Sequence, residues 1–171
     1  MDAWHRVLPS WRVAGNHIVA DDAVATLPGS ASDQEILDLA RRWVDLLAQD
    51  RYEEAWALTA HWAYPDSAGW SPPLMRATVA GYGHADRTDG RTHHRVTPFA
   101  TASGGPKPRH EVTRWHPATR SHAGRADPNQ SIAEVWFDLP LDGGWSDLTA
   151  TFDVVLRDGR LLLVLDDIHV H

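Results

Sequence analysis

Asp147 to Val170 read DLTATFDVVLRDGRLLLVLDDIHV. Leu148, Ala150, Phe152, Val154 and Leu156 alternate with Thr149, Thr151 and Asp153, the period-two pattern of a strand with one buried face. Asp158-Gly159 is a tight-hairpin signal, because both residues tolerate the positive φ such a turn requires. Arg160 to Val170 form the returning strand, and its run Leu161-Leu162-Leu163-Val164-Leu165 is apolar at odd and even positions alike. A strand of that kind is buried on both faces and sits centrally, under helices. Just upstream, Ala133, Val135, Phe137 and Leu139 alternate with Glu134, Trp136 and Asp138, and Asp142-Gly143-Gly144 turns the chain. Residues from about 131 onward are therefore an antiparallel meander.

The cover for that meander comes earlier in the chain. Ser32-Asp33-Gln34-Glu35 is a capping-box pattern. Behind it Ile36, Leu39, Ala40, Trp43, Leu46 and Leu47 recur at helical spacing, with Arg41, Arg42, Asp45 and Gln49 off the stripe. Asp50, with Glu53 three residues on, is read as the cap of a second helix carrying Tyr52, Ala55 and Trp56. That helix is expected to run on until Tyr64-Pro65, since a residue before proline avoids the helical region. A third begins at Ser71-Pro72-Pro73, turns Leu74, Thr78 and Val79 inward, and ends at Gly81-Tyr82-Gly83. Helices followed by strands mean an α+β fold. The expected core is Ile36, Leu39, Trp43, Leu47, Trp56, Phe152, Val154, Leu163 and Leu165. Residues 1–31, with Trp4, Trp11 and the run His17-Ile18-Val19-Ala20, are read as an N-terminal extension, and 32–171 as one domain. Gly104, Gly105, Pro106, Pro108, Pro117, Gly124 and Pro128 predict an irregular, mobile excursion at 101–130.

Composition narrows the classes of function. The 171 residues hold no cysteine, which excludes disulfide scaffolds, thiol nucleophiles and thiolate metal sites. No uncharged stretch approaches the ~18 residues of a membrane helix, and the amino terminus lacks the basic and apolar regions of a secretory signal. A cytoplasmic protein without membrane contact is the expectation. The net charge of −7 argues against a nucleic-acid binder. That charge is uneven: residues 1–83 carry −5, residues 84–127 carry +4, and residues 128–171 carry −6. The basic segment also holds His84, His93, His94, His110, His116 and His122. It reads as a solvated loop region or as an anion- or partner-binding flap.

Three passages resemble the nuclear transport factor 2-like superfamily, the SnoaL-like or cystatin-like α+β cones. Asp50-Arg51-Tyr52-Glu53-Glu54-Ala55-Trp56 looks like its step into a second helix, and Ser71-Pro72-Pro73-Leu74 through Tyr82-Gly83 like its third helix. Trp145-Ser146-Asp147-Leu148-Thr149 and Asp166-Asp167-Ile168-His169-Val170 resemble the last two strands of an uncharacterised bacterial family within it. The resemblance spans about residues 32–171. Segment 84–127 is longer than the family pattern, and residues 1–31 match nothing in it. It implies N-terminal helices packed on a curved antiparallel sheet, a cone with a pocket on its concave side. It implies no single chemistry, since members include isomerases, dehydratases, cyclases, transport adaptors and non-catalytic binders.

No nucleophile elbow, phosphate loop or zinc-protease motif is present, and no cofactor is called for. The best constellation is Asp166, Asp167 and His169. On a regular strand Asp167 and His169 share a face, whereas a bulge at Asp166-Asp167 would instead bring Asp166 onto the histidine's face. Buried beside an apolar wall, such a carboxylate–imidazole pair can act as a general base. His171 extends the pattern, but as a frayed terminal residue it makes no metal site. His61, Trp62, Tyr64, Trp70 and Tyr82 are the candidates for a ligand pocket, His61 to Tyr64 being read as a helix end. With no complete catalytic geometry, the sequence reads as a non-catalytic binding or interaction protein, such as an immunity or adaptor protein with an acidic surface. Its partner would be a small apolar ligand, another protein, or a second copy docked through the sheet. The competing reading is an isomerase, dehydratase or cyclase using the Asp/His pair in a tryptophan-lined pocket.

Overall fold

The structure, a computed structural model, describes residues 17–20, 23–63, 69–83, 93–115 and 131–170. Trp4, Trp11, Tyr64, His84, His116, Pro117, His122, Gly124, Pro128 and His171 lie outside the described residues.

Helix α1 spans Asp33–Ala48. Its start is the capping box read from the sequence: the Ser32 hydroxyl accepts from Glu35 N at 3.3 Å and Glu35 Oε2 accepts from Ser32 N at 2.8 Å. The helix ends in a turn at Asp50, whose φ is 62°. Asp50 therefore closes α1 instead of capping the next helix; Arg51 occupies that position without a side-chain cap. Helix α2 spans Tyr52–Leu58 and stops earlier than expected. Thr59 is extended, and Ala60–Ala63 form a strand, not a helix end. The reason is tertiary: this strand lies parallel to the last one, Ala60 opposite Val164 and His61 opposite Leu165. Pairing with a distant strand overrides a local preference. Helix α3 spans Pro72–Ala80, with the Ser71 hydroxyl accepting from Leu74 N at 3.4 Å. Its buried stripe is Met75 and Val79; Leu74, expected inside, is 43% exposed.

The described residues also form seven strands: β1 His17–Val19, β2 Thr26–Pro28, β3 Ala60–Ala63, β4 His110–Arg114, β5 Ser131–Leu141, β6 Gly144–Arg157 and β7 Arg160–Val170. They lie in the order β1-β3-β7-β6-β5-β4, with β2 also pairing along β7. All pairings are antiparallel except β3 with β7. The two hairpins turn on Asp142-Gly143 (φ 50° and 96°) and Asp158-Gly159 (φ 50° and 75°), the positive-φ pairs that match the twist of the flanking strands. Register shifts interrupt β5 near Ile132 and Leu139, and the β6–β7 ladder at Asp166. Each adds twist, and the sheet curls into a half-barrel.

The curl is filled. Trp43 from α1 stands edge-on to Phe152 at 5.1 Å, and Ile36, Met75, Phe137, Leu139, Leu161, Leu163 and Leu165 are buried with it. Of the expected core only Trp56 is partly exposed. The other face of β7 has its own small core, in which Val164, Val155 and Ala60 are covered by Ile18, Ala20, Val24 and Trp62. The segment ahead of residue 32 thus adds β1 and β2 to the sheet. Within residues 101–130, residues 110–114 form β4, and the loop before it is fastened to the β5–β6 hairpin: Ser103 N donates to Gly143 O at 2.9 Å and Trp145 N to Gly104 O at 3.1 Å. No helix among the described residues is long and apolar enough to cross a membrane.

Two stability measurements check this packing. Trp43→Ala is expected to lower the unfolding free energy by about 3–5 kcal/mol in denaturant titration. Gly105 has a φ of 81°, and a Cβ there would run into the Trp145 carbonyl. Gly105→Ala is expected to cost more than about 1 kcal/mol by the same titration.

Candidate functional site

Large side chains are buried inside the curl, and beside it the described residues leave open space. A groove of about 570 Å³ opens between the end of α1, the start of α2, one face of α3 and residues 93–96. On α3 it is lined by Pro73, Arg76, Ala77 and Ala80, positions that fall on one helical stripe. Leu47, Ala48 and Val96 add apolar surface.

The polar groups are held from below. The Arg76 guanidinium lies over the Tyr52 ring at 4.3 Å, donates to the Asp50 carboxylate, and reaches the Asp50 carbonyl at 3.4 Å. Tyr52 is itself buried. Burial pushes its phenol above the usual value, Arg76 opposing and Asp50 reinforcing the shift. The turn at Asp50, closed by the positive φ, is what brings this carboxylate to Arg76.

The facing wall is fixed by main-chain bonds. Arg95 N donates to Asp142 Oδ1 at 3.1 Å, Asp142 N donates to Arg95 O at 3.0 Å, and Thr97 N donates to Pro140 O at 2.8 Å. His94 Nδ1 is 2.6 Å from Asp142 Oδ2. Tyr82 stands edge-on to His94 at 5.3 Å and donates its hydroxyl to Asp147, a bond that raises the phenol's pKa. Of the sequence candidates, Tyr82 is the one joined to this wall.

The others gather at a different place. His61 is buried and stacked on Trp56 at 4.2 Å, with its Nε2 2.7 Å from the Trp56 carbonyl. Trp56 Nε1 donates to the Trp70 carbonyl at 3.0 Å, and Trp70 Nε1 donates to the Asp166 carbonyl at 2.8 Å. A relay of three side-chain-to-carbonyl bonds thus ties α2 to the bulge in β7. Trp62 instead donates to Asp153 Oδ2 at 3.2 Å, whose other oxygen accepts from Ser131 Oγ at 2.9 Å.

Asp167 and His169 do share a face, with Oδ2 and Nδ1 3.2 Å apart. They pair with Thr151 and Thr149, so they lie on the face opposite Ala150 and Phe152, turned away from the filled interior. Their side chains are 52% and 35% exposed. Asp167 Oδ1 also accepts from Ile168 N at 2.8 Å. Asp166 sits in the bulge; burial holds its carboxyl above the usual range, with Asp153, Asp167 and Glu134 adding to the shift and His169 opposing it. Among the described residues, no group of three or more His, Asp or Glu side chains is placed to hold a metal ion.

Sequence reasoning singled out His93 and His94 within the basic segment but missed Arg76, Arg95 and Tyr52 as groove residues. The available signal was the α3 stripe, in which an arginine stands among a proline and two alanines. No family model matches the chain, and neither any curated protein nor any solved structure matches it.

The raised Asp166 pKa gives a signed prediction. A carboxyl whose folded pKa lies above its unfolded one binds more protons when folded, so its charge removes stability as pH rises through the folded value. Asp166→Asn is expected to raise the urea midpoint at neutral pH, with a gain that shrinks as pH falls through the raised folded value and is gone below the ordinary carboxylate range. A variant equal to wild type at neutral pH would show that the bulge does not strain this carboxylate.

Proposed function

We propose that this chain is a non-catalytic binding protein of the nuclear transport factor 2-like type that holds a small molecule in the groove between its helices and residues 93–96. Three helices beside a curled antiparallel meander support the fold reading. The observation that carries the binding reading is the groove itself. Its volume falls within the roughly 300–1,000 Å³ of small-molecule sites, and it combines apolar lining with a few fixed polar groups. This groove lies next to the curl, in whose interior Trp43, Phe137 and Phe152 are buried.

A proton-transfer role for Asp166, Asp167 and His169 has less support. A general base of this kind works where water is scarce, and Asp167 is about half exposed on the outer face of the sheet, away from the groove. A second reading has a specific observation behind it: Glu134, Asp153, Asp166 and Asp167 crowd one outer face of the sheet, suiting contact with a basic partner as an adaptor or immunity protein. Salt-sensitive binding to an arginine-rich peptide, weakened in an Asp153→Asn, Asp167→Asn variant, tests it; absent or salt-insensitive binding overturns it.

The groove is tested with N-phenyl-1-naphthylamine, a neutral apolar probe that fluoresces on burial. Wild type is expected to bind it, and Ala77→Trp, which fills the groove from α3, to weaken binding by about tenfold or more, one apolar contact surface being worth at least that much. The unfolding midpoint should stay unchanged. Undiminished binding by Ala77→Trp overturns the assignment, and His169→Gln serves as the control that leaves it intact.

A further inference from the structure

The polar groups of the groove are not a random rim. Arg76 and Arg95 come from facing walls, α3 and the segment fastened to the β5–β6 hairpin, and both line the same space. Arg76 is set in one plane by the Tyr52 ring beneath it. Such a guanidinium presents its remaining N–H groups as a flat fork that suits an oxyanion. Its present partner, Asp50, is 75% exposed and Arg76 is 44% exposed. Pairs this open contribute about 0–1 kcal/mol, so the guanidinium can take a second anion at little cost. His93 and His94 stand on the same wall as Arg95. The acidic groups among the lining residues are Asp50, already committed to Arg76, and Glu53. Leu47, Ala48, Ala77, Ala80 and Val96 supply the groove's apolar lining.

We infer that the groove selects an anionic amphiphile, an apolar body carrying one carboxylate or phosphate, with Arg76 and Arg95 holding the oxyanion from opposite walls and the apolar body lying between α3 and the end of α1. This rests on the groove being the binding site, and it adds the chemical class of the ligand. Arg76 and Arg95 are the specificity-determining residues, and the positive charge of the middle segment acquires a use through Arg95.

Displacement of N-phenyl-1-naphthylamine by three ligands of equal chain length tests the inference: decanoate, decyl phosphate and 1-decanol, each below its micellar concentration and at neutral pH. Wild type is expected to favour at least one anion over decanol by about tenfold, the equivalent of one charge-assisted hydrogen bond. An Arg76→Gln, Arg95→Gln double variant should lose that preference while still binding the neutral probe and decanol as wild type does. Arg76→Lys, which keeps the charge but not the planar fork, should retain part of it. Decanoate against decyl phosphate identifies the head group. Equal displacement by all three ligands in wild type, or a preference that survives the double variant, overturns the inference while leaving the groove as the site. If Ala77→Trp leaves probe binding untouched, the groove assignment fails first, and the inference with it. Circular dichroism and the unfolding midpoint of each variant confirm that the comparison is between folded proteins.

Discussion

The two-sided apolar run of β7 is the constraint on which the architecture depends. Leu161, Leu163 and Leu165 face the helices, and Leu162 and Val164 face the other way; all five are buried. Burying a side chain of this size is worth about 1.5–3 kcal/mol, so neither face can be left in water. A single layer of helices covers one side only. The other side is closed by β1, β3 and the residues around them, and this is why Ile18, Ala20 and Val24 belong to the folded unit though the helical pattern starts only at Ser32.

The same constraint sets where ligand space can exist. Trp43 and Phe152 meet edge to face in the middle of the curl, and close-packed interiors leave little room for anything else. Free volume collects instead where three elements meet at their ends: α1 stops at Ala48, Asp50 reverses the chain, and α3 crosses beside residues 93–96. Helix ends leave main-chain and side-chain polar groups without regular partners. A space bounded by such ends is therefore polar at its rim and apolar along its flanks.

Local signals were legible in the sequence and distant ones were not. The capping box at Ser32, the Asp-Gly turns and the alternation of β5 and β6 each depend on neighbours within a few residues, and each stands as read. The run of Ala60 to Ala63 does not: its strand character comes from Val164 and Leu165, about a hundred positions away. The Asp166-Asp167 pair shows both sides of this. Its break in the apolar run was readable as a bulge, and strand parity put Asp167 with His169. A regular strand would have set them on the face of Leu163 and Leu165. The extra residue at Asp166 carries them to the opposite one, since one residue of slip exchanges the faces of a strand. The groove draws on three separate segments, 47–53, 73–80 and 93–96, so no short window of sequence contains it.

The strand at the centre of the sheet is also the last element of the described chain to leave the ribosome. Chains are made at roughly 5–20 residues per second, so on the order of ten seconds separates the emergence of the α1 stripe from that of Leu161 to Leu165. Before β7 emerges, β5 and β6 can already form their hairpin around Asp142-Gly143 and bring Phe152 to Trp43, while Leu163 and Leu165 are still missing from the core. In order of synthesis the α1 stripe and the β5–β6 hairpin precede the two-sided strand that completes their core, so the most apolar segment of the fold joins surfaces made before it.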